Sequence, residues 1–109
     1  MSPRTIDEAP NVVSEDGFRE LLTRGYHVDV VALEDAEKRS SYWYGQWATR
    51  AVSPDGLDDR LLVISRKSLK PRIFKTANGL ISFLSDVGCS SANILLRKGG
   101  RSSHFISQE

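Results

Sequence analysis

Residues 71–88 read PRIFKTANGLISFLSDVG, and the fold turns on how this stretch divides. Arg72, Ile73, Phe74 and Lys75 mix polar and apolar side chains as an edge or half-buried strand does. Thr76 then supplies a hydroxyl that can accept a bond from an unpaired N–H of a helix's first turn. Leu80, Phe83, Leu84 and Val87 recur at spacings of three and four, one apolar stripe that Ile81 widens. Gly88 stands where a helix stop needs the left-handed conformation that only glycine takes cheaply. The spacing predicts a strand, a capped helix over 77–87 that closes the core, and a stop.

Upstream, Ser14 precedes Glu15 and Asp16, acids that a helix dipole favours in the first turn. Phe18, Leu21 and Leu22 give this short helix an inward face, and Gly25 ends it. Residues 26–33 read as a strand with Tyr26, Val28, Val30 and Ala32 inward and His27, Asp29 and Val31 on the wetter side. Residues 34–39 read as a charged turn. Residues 41–52, SYWYGQWATRAV, read as an aromatic strand in which Trp43, Gly45, Trp47, Thr49 and Ala51 share one face. Trp43 and Trp47 are expected in the core, with Tyr42 and Tyr44 on the other face. Gly45 inside this strand predicts a bulge or the close approach of another group. Ser53-Pro54-Asp55-Gly56 is a strong turn. Residues 60–66 return antiparallel, and residues 92–97 read as a last strand reached by a right-handed crossover.

The expected class is α+β: an antiparallel meander of four to five strands with two helices packed on one face. A flexible arm is expected over residues 1–13, one domain over 14–98 and a flexible tail over 99–109. The length of 109 residues suits a single domain. One cysteine, Cys89, precludes an internal disulfide and fits a reducing, cytoplasmic setting. No apolar run approaches the roughly 20 residues that span a bilayer, and MSPRTIDEAP lacks the order of a signal peptide.

A net charge of +1 conceals a division. Residues 1–37 carry nine acids against three bases, and residues 60–101 carry nine bases against Asp86 alone. Such asymmetry points to a charged partner. Arg66, Lys67, Lys70, Arg72 and Lys75 form the densest basic run and are the expected nucleic-acid contacts. Tyr42 and Tyr44, on a sheet face that the helices leave open, could stack on bases or meet a protein.

Catalytic signals are weak. His27 and His104 have no neighbours at metal-ligand spacing, so no metal or cofactor is expected. Cys89 follows a helix C-terminus, where the dipole disfavours a thiolate, and reads as a packing residue. Lys98-Gly99-Gly100-Arg101 lacks the spacing of a phosphate-binding loop.

Residues 71–76 (PRIFKT), then Leu80, Phe83-Leu84 and Val87-Gly88, then the segment from Ala92, together resemble small accessory proteins encoded on plasmids and integrative elements, of the partition- or replication-associated type. That family tends to carry Ser-Leu-Asp at the helix start, where this chain has Thr76-Ala77-Asn78. The resemblance implies a non-catalytic accessory role and transfers no functional residues. The expected function is therefore a non-enzymatic protein of a mobile element that binds nucleic acid, DNA ahead of RNA, through its basic C-terminal half. The alternative is a protein-interaction module, an inhibitor or regulator of a nucleic-acid-binding partner or host defence complex, working through exposed aromatics and the acidic half. Homodimerisation fits either.

Overall fold

The computed structural model describes residues 11–65 and 67–107. The elements in chain order are β1 (Val12–Val13), α1 (Glu15–Thr23), β2 (His27–Ala32), β3 (Glu37–Arg39), β4 (Tyr42–Val52), β5 (Asp59–Leu62), β6 (Phe74–Thr76), α2 (Ala77–Asp86) and β7 (Arg101–His104). The class is α+β, with both helices on one face of a single sheet. The sheet differs from a four- to five-stranded antiparallel meander: it is mixed, with seven strands among the described residues.

The reason is the length of β4. At 11 residues it is too long for its neighbours, so two short strands line each of its sides. β2 pairs with its C-terminal half and β3 with its N-terminal end. On the opposite side β5 pairs near Val52, and β6 pairs at Tyr44 and Trp47. β5 and β6 are thus two pieces of one flanking line, separated by an excursion in which Val63 bridges Pro71 and the Ile64 N–H donates to the Lys70 carbonyl at 2.8 Å. β1 adds parallel to β5, and β7 adds antiparallel to β2.

Alternation sorts the side chains. Val28, Val30 and Ala32 of β2 and Trp47 and Ala51 of β4 meet Phe18, Leu21 and Leu22 of α1 and Leu80, Phe83 and Leu84 of α2. Phe83 ties the layers, its ring 5.7 Å from Phe18 and 4.9 Å from Phe74. Thr76 caps α2 as expected, accepting from the Gly79 N–H at 3.0 Å. At the far end the Cys89 N–H donates to the Leu84 carbonyl and the Gly88 N–H to the Ser85 carbonyl, with Gly88 at φ 106°. That is the paired bonding of a Schellman stop. Ile81 does not widen the buried stripe. It is 45% exposed and borders a cleft with Leu84, Ser85 and Cys89.

Gly45 meets both halves of its expectation. The β4–β6 register slips between Tyr44 and Trp47, and a Cβ at Gly45 would lie 2.7 Å from the Trp47 ring. Trp47 is fully buried, but Trp43 is 39% exposed, since the β3–β4 hairpin carries it past the edge of the core.

Residues 92–97 are not a strand, and no crossover joins them parallel to β6. Their backbone groups are satisfied by other partners instead. The Leu95 carbonyl accepts from the Trp47 indole at 3.0 Å, the Leu96 carbonyl from the Ala36 N–H, and the Asn93 carbonyl from the Ser102 hydroxyl. With those partners in place no ladder is needed. The last strand is β7, in the stretch read as a frayed tail, and the chain then docks beside α2 through the Cys89–Ile106 bridge. Of the expected N-terminal arm, residues 1–10 lie outside the described residues, and Val12–Val13 are held in the sheet.

Candidate functional site

The sheet carries two groupings of polar and aromatic side chains, one in each half, the first of them on the face turned away from the helices. To the first, β2 contributes His27 and Asp29, β4 Arg50, β5 Asp59, and β7 Arg101 and Ser103, all on one side by register. Asp29 is 6% exposed and accepts from Arg101 Nε at 2.6 Å and Ser103 Oγ at 2.7 Å, with His27 Nε2 at 3.0 Å. Arg101 also reaches Asp59 at 2.8 Å, and Asp59 pairs with Arg50 at 2.5 Å. In a flat sheet β7 and β5 would lie about 14 Å apart, three strand spacings. The bridge therefore requires the sheet to curl toward this face. The curl explains why Ala48 and Val52, on the face away from the helices, are nonetheless buried. Phe105 stacks on His27 at 4.7 Å and closes the rim. This half is self-neutralised and covered by its own side chains.

The second half lies at the N-terminal end of β4. Arg39 faces Tyr42 across the hairpin and places its guanidinium carbon 5.0 Å from the Tyr44 ring centroid, so Arg39, Tyr42 and Tyr44 share a face. The register slip interrupts alternation in β4: Tyr44 pairs with Thr76 as Trp47 pairs with Phe74, so the register sets this group on the Phe74 and Thr76 side of β6. Glu37 holds Arg39 at 2.9 Å. Alternation in β6 turns exposed Lys75 away from Phe74 and Thr76, to the other side of the sheet from Tyr44. Lys67 and Lys70 are exposed on the excursion at the adjoining edge.

The five residues of the basic run are therefore not one patch. Arg66 lies outside the described residues. Arg72 turns to the helix side, where it pairs with Glu15 of α1 at 3.1 Å and covers the Phe74 and Phe83 rings at 4.8 and 5.7 Å. Its role is structural. Lys67, Lys70 and Lys75 remain, and Arg39 joins Tyr42 and Tyr44. Sequence reading missed Arg39 because it stood in an apparent turn among acids. The signal that could have found it is the pair Ser40-Ser41 as a two-residue hairpin loop, which sets Arg39 opposite Tyr42.

Cys89 is half-buried beside a cleft of about 160 Å³ bounded by Ile81, Leu84 and Ser85, and burial pushes its thiol up. His104 is buried on the helix side, its Nε2 accepting from the Asn93 N–H at 2.8 Å. Among the described residues no cluster of His, Cys, Asp and Glu could hold a metal ion, and no helix is long and apolar enough to cross a membrane.

The carboxylates at the β4–β5 turn carry a pH consequence. Hydrogen bonding from Arg60 holds Asp58 low against the opposing effect of burial. Burial pushes Asp59 up, but bonds and charge from Arg50 and Arg101 outweigh it, and the group ends low. Folded values below the unfolded ones mean stability that is present above about pH 4 and lost as pH falls through the folded values. The urea midpoint is expected to be flat from pH 7 to about 5 and to drop steeply below about 4. A midpoint unchanged at pH 3 would show that these pairs add nothing.

Comparison of the chain with protein-family models, with curated proteins and with solved structures gives no match.

Proposed function

We propose that the chain is a non-enzymatic nucleic-acid-binding protein that uses the N-terminal end of β4 and the neighbouring edge loop as its interface. The observation that carries this reading is the grouping of Arg39, Tyr42 and Tyr44 at the N-terminal end of β4, with exposed Lys75 on the neighbouring strand and exposed Lys67 and Lys70 on the adjoining edge. Aromatic faces that stack and cations that track phosphates are the two things a nucleic-acid surface needs. The curled half of the sheet supports the same placement, because its arginines are occupied by Asp29 and Asp59. An accessory role on a mobile element rests on the resemblance carried by residues 71–88, and DNA stands ahead of RNA as the partner.

The test is binding at two salt concentrations with Lys67→Glu combined with Lys70→Glu. Both side chains are exposed, so the variant is expected to keep its urea midpoint. Affinity should fall alike on many sequences, since phosphate contacts carry no sequence information. The slope of log affinity against log salt should flatten by about 2 on duplex DNA. Wild type that shows no salt-dependent binding to any DNA or RNA ends this reading.

A second reading, a protein-interaction module, is favoured by one observation: two large rings, Tyr42 at 64% and Phe105 at 66%, are exposed. Such an interface would depend far less on salt.

A further inference from the structure

The chain leaves the sheet after β5, runs through residues 64–70 and returns to it as β6, and hydrogen bonds tie this loop. The Ile64 N–H donates to the Lys70 carbonyl at 2.8 Å and the Leu69 N–H to the Ser65 carbonyl at 3.0 Å. Ser65 Oγ accepts from the Ser68 N–H at 3.1 Å, and Ser68 Oγ from the Lys70 N–H at 3.3 Å. Within this frame Leu69 stands at φ 54°, in the left-handed region that a residue with a bulky side chain enters only at a cost. Glycine or asparagine would take the position more cheaply. Leu69 also leaves apolar surface in water, 48% exposed, and Ile64 is 61% exposed. Among the described residues neither joins the core or the partly buried side chains packed on it. A large aliphatic group on a strained backbone, packed on nothing in its own chain, points to a partner outside it.

The surrounding charge gives the chemistry of that partner. Lys67 and Lys70 stand within two residues of Leu69 and are exposed, and no acid occurs in residues 60–85. The partner therefore offers anions beside an apolar recess. In duplex DNA the phosphates are the anions, and the recess is the base stack itself where one step is opened from the minor groove. Phosphate binding alone would leave Leu69 and Ile64 without a use.

We propose that residues 64–70 form a wedge: Lys67 and Lys70 hold phosphates of duplex DNA while the Leu69 and Ile64 side chains press into the minor groove at one base step and bend the duplex. The wedge rests on the nucleic-acid reading above and narrows it, at this edge, to duplex that deforms. Pyrimidine–purine steps such as TA unstack readily and A-tracts are stiff, so the loop discriminates between them without reading a base edge.

The test uses duplexes of about 30 base pairs, one with a central TA step and one with a central A-tract, carrying a donor and an acceptor dye at their ends. Anisotropy reads binding and energy transfer reads the end-to-end distance, for wild type, Leu69→Asn and Ile64→Thr at two salt concentrations. Vesicles of phosphatidylcholine and phosphatidylserine are titrated with the same proteins. Wild type is expected to prefer the TA duplex about tenfold and to raise energy transfer on it. Leu69→Asn should lose both the preference and the added transfer, yet keep wild-type affinity for the A-tract and the wild-type salt slope, since both lysines remain. Its urea midpoint should equal or exceed that of wild type, because asparagine accepts the left-handed backbone. Ile64→Thr should reduce the preference and the transfer without changing the salt slope.

Salt-dependent binding by wild type with no change in energy transfer overturns the wedge and leaves the nucleic-acid reading standing, as does bending that survives both substitutions. A lowered urea midpoint in Leu69→Asn shows that Leu69 serves the fold and overturns the wedge too. Vesicle binding that depends on Leu69, without bending of DNA, overturns it in favour of an anionic lipid surface. Wild type without salt-dependent binding to any DNA or RNA removes both readings.

Discussion

Trp47→Ala is expected to cost about 3–5 kcal/mol, the range for deleting a large buried aromatic. Trp47 is fully buried at the centre of the core, and its Nε1–H donates to the Leu95 carbonyl at 3.0 Å. The indole also covers the backbone at Gly45, where a Cβ would collide with it. Its removal therefore opens a cavity, exposes the register slip in β4 and frees a segment, residues 92–97, that has no ladder of its own. Much of the marginal stability of a domain this size would be lost. Trp47→Phe separates the contributions. It keeps most of the volume but leaves the Leu95 carbonyl without its donor, which costs about 1–3 kcal/mol. Urea unfolding measures both, and a loss under about 1 kcal/mol for Trp47→Ala would show that the 92–97 segment is held by other means.

Asp29→Ala is expected to cost about 3 kcal/mol. Removing one member of a buried pair typically costs 3–5 kcal/mol, because the other charge is stranded. The low end applies here, since Arg101 remains 41% exposed and keeps Asp59. Asp29 gathers Arg101, Ser103 and His27 at one point. β7 carries no large apolar side chain and is held by polar contacts, so hydrogen exchange at residues 101–104 should quicken more than in α2. A double-mutant cycle with Arg101→Ala should give a coupling above about 0.5 kcal/mol. Additive losses would mean that the network is ordinary solvated surface.

The two helices and the strands feeding them were legible because their signals are local. Thr76, the stripe of Leu80, Phe83 and Leu84, and Gly88 each act within a few residues, and each does what its spacing implies. The same holds for the alternation of β2 and for Gly45. Of the proposed interface, Tyr42, Tyr44 and the exposed Lys67, Lys70 and Lys75 could be named from the chain. Arg72 could not be separated from them, since a charge on a short strand gives no sign that Glu15, 57 residues away, will claim it.

Sequence by itself determined the α+β class, the Thr76 cap, the glycine stops of the helices, and which side of β2 is apolar. Those follow from backbone propensity and side-chain period, which act over a turn or a strand. Tertiary structure alone decided that Arg-Ser-Ser-His becomes a strand and Ala-Asn-Ile-Leu-Leu-Arg does not. β7 forms because β2 offers a free edge and Asp29 offers a buried carboxylate, and residues 92–97 stay irregular because Trp47, Ala36 and Ser102 satisfy their carbonyls first. Each of those partners lies far off in the chain or across the sheet, so the competition between them is settled by packing and leaves no trace in the local pattern.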